Sequence, residues 1–194
     1  MNKPKNITGI LLSGGKSSRM GSDKALMAFQ ETNFMQAVIT AAKPLVNNFF
    51  MVSSKPEHNG FGLERINDII EDAGPLSALY TGLNHSRTEY NLVLSCDIPF
   101  IKTETLKLLF DEDFTQFDIV QLASKGKSMP LIAIYKKSCV PVFLELLNSG
   151  ERRVRKAIEN FKIKTIEVDE ALAYQLQNIN TREQLNSILH EHSN

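Results

Sequence analysis

Apolar runs of strand length alternate with segments of helical periodicity along this chain, and that alternation limits the possible folds most strongly. Runs rich in β-forming residues occupy 7–12, 49–53, 91–95 and 117–122. Helical patterns occupy 33–46 and 75–85, between the first three runs. Strands that alternate with helices form parallel β-α-β units. We therefore predict a doubly wound α/β domain, with a mostly parallel sheet and helices on both faces.

The second half of the chain continues with both kinds of element. Strands are predicted over 130–135 and 163–168, and helices over 138–148, 151–160 and 181–190. Thr181 is the expected cap of the last helix. In open sheets of this kind ligands bind at the carboxyl ends of the strands, so functional residues are expected there.

The first predicted strand leads directly into a glycine-rich, basic loop. Gly14 and Gly15 let the backbone approach a ligand closely, and Arg19 and Lys24 supply positive charge. Backbone N–H groups together with such charges bind polyphosphate. The loop therefore predicts an enzyme that handles phosphate groups.

Two other interpretations of this loop were considered. A Walker A loop is suggested by Gly15-Lys16-Ser17, but that motif requires a glycine at position 10, which is Ile10. The intervening residues also have the character of a strand. A glycine-rich turn that binds nothing remains the structural alternative.

Composition narrows the classes of partner. Lys plus Arg equal Asp plus Glu at 22 each, so no overall charge would recruit nucleic acid or an anionic membrane. The run 7–12 is too short for a secretion signal, and no later run approaches a membrane span. Cys96 and Cys139 have no second thiol or histidine at metal-ligand spacing. We expect one domain over 1–194, located in the cytoplasm, with no nucleic-acid or membrane partner.

A carboxylate follows the predicted strand 91–95. Asp97 would lie at the same edge of the sheet as the glycine-rich loop. Mg²⁺ binds through one or two carboxylates together with phosphate oxygens of the substrate, so Asp97 is a candidate Mg²⁺ ligand. Asp68 is a similar loop carboxylate. Considered alone, each fits a residue that stabilises a turn or caps a helix.

A basic segment, 150–156, opens the predicted helix over 151–160. Its basic residues are Arg152, Arg153, Arg155 and Lys156. A solvated helix face is the usual meaning of such a run. Positive charge at a helix N-terminus opposes the helix dipole unless an anion or a carboxylate compensates. We interpret the segment as a second phosphate contact.

Several segments together resemble one enzyme family. They are the loop segments 12–15 and 19–24, Gly74-Pro75-Leu76, Cys96-Asp97-Ile98-Pro99-Phe100, Gly150-Glu151-Arg152-Arg153-Val154 and Asn178-Ile179-Asn180-Thr181. Their order and spacing resemble the molybdenum cofactor guanylyltransferases over essentially the whole chain. The resemblance implies a Rossmann-like nucleotidyltransferase fold. It also implies transfer of GMP from GTP to molybdenum-carrying molybdopterin, with release of pyrophosphate.

The same resemblance implies roles for individual residues. Nucleotide binding would fall to Leu12, Ser13, Gly14, Gly15, Lys24, Asp68 and Asp97. The catalytic set would be Arg19, Lys24 and Asp97, with Asp97 also holding Mg²⁺. Pterin binding would fall to Arg153, Asn178 and Asn180. The partners implied are GTP and molybdenum-molybdopterin as substrates, with transient contacts to molybdenum-insertion proteins and molybdoenzymes, and the protein would be a monomer or a weak homo-oligomer.

The chain departs from the family pattern at a few positions. Ser13 and Ala78 replace an alanine and a glycine, and both changes are small. Ser128-Met129 stands where relatives carry a basic residue and a histidine, and Ser53 stands where they carry an asparagine. A cytidylyltransferase for the same or another phosphorylated acceptor is the enzymatic alternative. A non-catalytic nucleotide- or pterin-binding module is the other alternative.

Overall fold

The computed structural model describes residues 6–13, 23–70, 73–111 and 113–192. The strands in these residues are β1 (Ile7–Leu12), β2 (Ala28–Phe29), β3 (Thr32–Asn33), β4 (Asn48–Val52), β5 (Glu64–Ile66), β6 (Tyr90–Ser95), β7 (Ile119–Ser124), β8 (Lys127–Lys136) and β9 (Ile163–Glu167). The α-helices are α1 (Phe34–Ala42), α2 (Gly74–His85), α3 (Thr103–Asp111), α4 (Val140–Asn148), α5 (Val154–Ala157) and α6 (Arg182–His192). Short 3-10 helices cover Lys24–Leu26, Lys43–Leu45, Pro56–Phe61, Phe114–Gln116, Lys137–Cys139 and Glu170–Leu176.

Seven strands form one sheet in the order β5-β4-β1-β6-β8-β7-β9. Neighbouring strands pair in parallel at β4–β5, β1–β4, β1–β6 and β7–β9. β8 pairs antiparallel with both β6 and β7. The remaining strands, β2 and β3, form a separate antiparallel hairpin. The predicted mostly parallel sheet is confirmed.

Side chains alternate across the sheet and bury a helical layer on each face. Leu11 packs in a cluster with α1 and α3, while its neighbours Ile10 and Leu12 pack in a second cluster with α2, α4 and α5. Full burial of a leucine or isoleucine side chain contributes about 1.5–3 kcal/mol. Alternate side chains of one strand therefore pack against helices on opposite faces of the sheet. The predicted doubly wound α/β fold is confirmed.

Helix α2 lies unusually close to β1 because of Gly82. A Cβ atom at this position would come within 2.5 Å of Cγ2 of Ile10. Any larger residue would push the helix away from the strand. The close approach fixes α2 against β1 and brings the start of the helix to the carboxyl edge of the sheet.

A third apolar cluster holds the C-terminal helix near that edge. Phe29 and Phe100 meet edge to face, with ring centroids 5.0 Å apart. Ile179, which is fully buried, and Ile188 of α6 pack in the same cluster. The chain around residue 179 is therefore fixed beside the end of β6, where Phe100 follows.

The predicted α-helices differ from those of the structure in two places. The helix predicted over 151–160 is wrong in length, because the helix there covers only Val154–Ala157. Helix α3 had no counterpart among the predicted elements. Cys96 and Cys139 are both free thiols, and Cys139 is buried while Cys96 is half-buried. Within the described ranges, no helix is long and apolar enough to cross a membrane.

Candidate active site

The ends of β1 and β6 lie side by side at the carboxyl edge of the sheet. Leu12 is the register partner of Ser95, and the N–H of Cys96 donates to the carbonyl oxygen of Leu12 at 3.1 Å. On the other side of β1, the N–H of Ser13 donates to the carbonyl of Val52 at 3.0 Å. After β1 the chain adds β4 and β5 on one side of β1 and then crosses to add β6 on the other side. The strand order therefore reverses here, which makes this edge a topological switch point. Such points form the binding crevice in open α/β sheets.

Asp97 follows β6 at this switch point and is half-buried. Oγ of Ser95 donates to Oδ1 of Asp97 at 2.6 Å. The carbonyl oxygen of Asp97 accepts a hydrogen bond of 2.8 Å from the N–H of Ile179. The first contact orients the carboxylate and the second fastens its backbone to the C-terminal segment.

The same backbone contact brings the paired asparagines to the site. Ile179 is buried, while Asn178 and Asn180 on either side of it are exposed. Nζ of Lys24 donates a short hydrogen bond to Oδ1 of Asn180. Lys24 and Asn180 are 156 residues apart in the sequence. The fold brings both of them to the edge of the sheet where Asp97 lies.

The C-terminal segment has its own local support. The N–H of Gln184 donates to Oγ1 of Thr181 at 3.2 Å, and Oε1 of Gln184 accepts from the N–H of Asn180 at 2.7 Å. This reciprocal arrangement resembles a capping box. The predicted capping role of Thr181 is confirmed, and it fixes the chain at Asn180.

Asp68 lies at the same edge, beyond the end of β5. Its Oδ1 accepts hydrogen bonds from Oγ of Ser77 at 2.5 Å and from Oγ1 of Thr81 at 2.8 Å. Both donors are on α2. Asp68 is therefore held by that helix and lies on the β5 side of the sheet, while Asp97 lies on the β6 side.

Arg153 is occupied by its neighbour Glu151. Its Nε and Nη2 donate to the two carboxylate oxygens of Glu151 at 2.9 and 2.8 Å. Among the described residues, the hydrogen bonds of the Arg153 side chain go to Glu151 and not to Asn178 or Asn180. The hydrogen bond from the Arg153 side chain, followed by the backbone N–H groups of Arg153 and Arg152, lowers the pKa of Glu151 to about 2.

This arrangement also explains why the observed helix begins later than predicted. The carboxylate of Glu151 accepts from two successive backbone N–H groups and holds Arg153 in an extended conformation, so α5 begins only at Val154. The carboxylate that compensates the basic segment is Glu151 itself. A bound phosphate is therefore not needed to explain the positive charge at the start of this helix.

A different arginine reaches the position that departs from the family pattern. Nη1 of Arg155 donates to Oγ of Ser128 at 3.0 Å, and Nη2 donates to the Ser128 carbonyl at 2.5 Å. Ser128 lies near the start of β8, which is antiparallel and therefore begins at the carboxyl edge of its parallel neighbours. The guanidinium group of Arg155 therefore lies beside one of the two residues that depart from the family pattern at 128–129. Lys125, a basic residue close to Ser128 in the sequence, pairs with the exposed Glu170 at 3.0 Å.

Ser53, the other residue that departs from the family pattern, contacts a buried histidine. Oγ of Ser53 lies 2.7 Å from Nδ1 of His58, and Nε2 of the same ring lies 2.8 Å from Oδ2 of Asp23. No role was predicted from the sequence for Asp23 or His58. The Asp-Lys pair in the basic loop could have drawn attention to Asp23, whereas nothing in the pattern distinguishes His58.

Three predicted site residues, Gly14, Gly15 and Arg19, lie outside the described residues. Those that are described divide into two groups. Leu12, Ser13, Lys24, Asp97, Asn178 and Asn180 lie together at the ends of β1 and β6. Asp68 and Arg153 are held by other partners, in α2 and in the segment before α5.

The donor set fits a divalent cation shared with a phosphate ligand. Asp97 offers a carboxylate at the edge of the switch point, and one carboxylate with phosphate oxygens and water is a common way to bind Mg²⁺. No group of three or more His, Cys, Asp or Glu side chains that could hold a metal occurs in the part of the chain that the structure describes. A lysine, a carboxylate and a glycine-rich loop suit the binding and transfer of phosphoryl groups.

Comparisons with known proteins agree with this chemistry. The chain is 36% identical over 182 residues to a Flavobacterium johnsoniae protein named "Probable molybdenum cofactor guanylyltransferase", covering 94% of this chain and 96% of that protein. The crystal structure of an Aquifex aeolicus VF5 protein, 27% identical, superposes with a TM-score of 0.78 over 92% of this chain and 95% of its own.

The fold recurs at lower sequence identity. Molybdopterin-guanine dinucleotide biosynthesis protein A from Archaeoglobus fulgidus gives a TM-score of 0.80 at 21% identity, covering 96% of this chain and 98% of its own. The sequence profile of the MobA-like NTP transferase domain matches residues 9–165, from β1 into β9. The resemblance inferred from the separate motifs is thereby confirmed, and the chain belongs to the MobA-like NTP transferase family.

Proposed function

We propose that this chain transfers GMP from GTP to the terminal phosphate of molybdenum-carrying molybdopterin. The products are the guanine dinucleotide cofactor and pyrophosphate. Family membership makes the chain a nucleotidyltransferase, and the name of the Flavobacterium johnsoniae relative supports the guanylyl class. The observation that carries the proposal is the meeting of Lys24, Asp97 and Asn180 at the switch point between β1 and β6.

The chemistry requires positioning and charge neutralisation. An oxygen of the acceptor's terminal phosphate attacks the α-phosphorus of GTP. The bond from that phosphorus to the oxygen bridging the β-phosphate breaks, and its electron pair leaves with pyrophosphate. No side-chain nucleophile takes part, so the chain needs only groups that hold the two substrates and balance their charge.

We assign different residues to each of the two substrates. Leu12, Ser13 and Gly14 offer backbone groups to the nucleoside, and Gly15, Arg19 and Lys24 hold the triphosphate. Asp68 contacts the nucleotide from the β5 side. Asn178 and Asn180 face the acceptor phosphate, with Arg153 as a further contact to the pterin.

Asp97 is the residue proposed to hold Mg²⁺. Its carboxylate is oriented by Ser95 and lies beside the end of the strand that leads into the phosphate loop. When bound, the cation would neutralise negative charge on phosphate oxygens. We also propose that residues 1–194 form one such domain, a monomer or weak homo-oligomer. It would act in the cytoplasm, where it would make transient contacts with molybdenum-insertion proteins and molybdoenzymes.

The choice of base tests the guanylyl assignment. We expect kcat/KM for GTP to exceed that for CTP and ATP by a factor of roughly tens to thousands. A base that does not fit leaves buried polar groups of the site unpaired, and each such group costs about 1–3 kcal/mol. The measurement uses purified protein, Mg²⁺ and molybdenum-loaded molybdopterin, with each nucleotide in turn and pyrophosphate release as the signal.

The alternatives predict different results in the same assay. Equal or better use of CTP would assign the chain to the cytidylyl class. Absence of transfer from every nucleotide, with GTP or the pterin still bound, would indicate a binding module without catalytic activity.

A further inference from the structure

A histidine with no exposed surface connects the phosphate loop to the neighbouring strand. The side chain of His58 is 0% exposed. Its Nε2 lies 2.8 Å from Oδ2 of Asp23, and its Nδ1 lies 2.7 Å from Oγ of Ser53. Ser53 directly follows β4, and its own N–H donates to the Ile66 carbonyl at 2.9 Å. The ring therefore joins Asp23 to a rigid part of the sheet.

The contacts of the His58 ring are compatible with one consistent set of donors and acceptors. The N–H of Lys55 donates to Oγ of Ser53 at 3.1 Å, and the hydroxyl hydrogen of Ser53 is free to donate to Nδ1 of His58. A hydrogen on Nε2 then donates to the carboxylate of Asp23. Each of these buried polar atoms then has a partner, and rotation of the ring would leave buried polar atoms unpaired.

Asp23 in turn fixes the element that carries Lys24. Its Oδ1 accepts from the N–H of Ala25 at 3.0 Å and so caps the 3-10 helix Lys24–Leu26. Burial acts to raise the pKa of Asp23, but hydrogen bonds from Lys55, from the Ala25 N–H and from His58 outweigh it and lower that pKa. The carboxylate is ionised at neutral pH and is held at both oxygens.

The two partners of Oδ2 differ in rigidity. The side chain of Lys55 is 35% exposed and reaches Asp23 through a long flexible stem. A flexible side chain that is partly open to solvent can reach the carboxylate in several geometries. His58 is fully enclosed and is held at its far side by Ser53. The position of the carboxylate is therefore set mainly by the ring.

We propose that His58 is a positioning residue for the nucleotide triphosphate. It acts through Asp23, which fixes the start of the 3-10 helix and so directs Nζ of Lys24 toward Asn180. This inference rests on the proposed function, because it supposes that Lys24 binds the triphosphate. His58 itself does not touch the substrate, and its removal is expected to affect GTP binding more than the chemical step.

Two polar substitutions separate positioning from simple core stability. The amide nitrogen of His58→Gln can occupy the place of Nε2 and donate to Asp23, whereas His58→Asn is too short and can replace only Nδ1. Both variants bury one amide group, so their effects on global stability should be similar. We expect His58→Asn to raise KM and Kd for GTP about tenfold with a smaller change in kcat, and His58→Gln to stay within about threefold.

The measurements are GTP affinity by calorimetry, GMP-transfer kinetics, thermal unfolding and hydrogen exchange in peptides spanning 23–29. Faster exchange in that peptide for His58→Asn alone is the expected result. Equal GTP affinity in wild type and both variants, or equal losses in both variants, would overturn the proposal. Ser53→Ala, which releases only the far side of the ring, should weaken GTP binding about threefold; unchanged affinity there would also count against it.

The design keeps this inference separate from the proposed function. If wild-type protein binds GTP but forms no dinucleotide, the proposed function fails, while the affinities and exchange rates of the two variants still test the role of His58. If wild-type protein transfers GMP and the two variants match it, only the positioning role fails.

Discussion

Replacing Asp97 with asparagine is expected to lower kcat for GMP transfer by about 10³-fold while leaving the fold intact. The substitution removes the negative charge proposed to hold Mg²⁺ but preserves the shape of the side chain. An amide oxygen can still accept from Oγ of Ser95, and the backbone bond from Ile179 is unaffected. The measurement is the rate of pyrophosphate release at saturating and at limiting Mg²⁺, together with the unfolding midpoint.

A matched control is available at Asp169. This residue is exposed and stands at the start of a 3-10 helix, where its side chain makes no capping hydrogen bond. Asp169→Asn makes the same chemical change and should keep the wild-type rate. If Asp97→Asn retains near wild-type transfer at limiting Mg²⁺, Asp97 is not the metal ligand.

The second large effect is expected at Lys24. Lys24→Ala should lower kcat/KM for GTP by about 10²-fold, because it removes a charged donor to phosphate oxygens whose charge changes as pyrophosphate leaves. Arg19→Ala should act in the same direction. For each of the two variants, calorimetry measures the affinity for GTP, and the rate of pyrophosphate release gives kcat/KM.

Loss of a surface lysine alone should not reproduce this result. Lys107 is exposed on α3, and Lys107→Ala is the corresponding control. GTP affinity and rate that are unchanged in both Lys24→Ala and Arg19→Ala would contradict the phosphate-binding role. The glycine-rich turn without a ligand would then be the better interpretation.

Strands and buried helices followed from the sequence because their patterns are local. The run at 7–12 coincides with β1, and the pattern over 75–85 lies within α2 (Gly74–His85). Helix α3 was not predicted, although Leu106 and Leu109, three residues apart and both fully buried, give it an apolar stripe. The helix over 151–160 was overestimated because a local contact, Glu151 to the following N–H groups, decides where it begins.

The candidate site was predictable only where a residue follows a strand or belongs to a motif. Asp97 could be placed from its position after β6, and Lys24 from the basic loop. The partnership of Asp23 with His58 joins residues 35 positions apart. It depends on how β4 lies beside β1, and a single histidine in a polar stretch carries no pattern that reveals it. The ion pair of Arg153 with Glu151 was likewise hidden, since adjacent opposite charges are common on protein surfaces.

The fate of labelled phosphate tests the central claim most directly. Wild-type protein is supplied with molybdenum-loaded molybdopterin, Mg²⁺ and GTP labelled at either the α- or the γ-phosphate, and the products are separated. We predict that the α-label appears in the pterin dinucleotide and the γ-label in pyrophosphate, in equal molar amounts. Transfer of the γ-label to the pterin, or no label on the pterin from either GTP, would contradict nucleotidyl transfer by this chain.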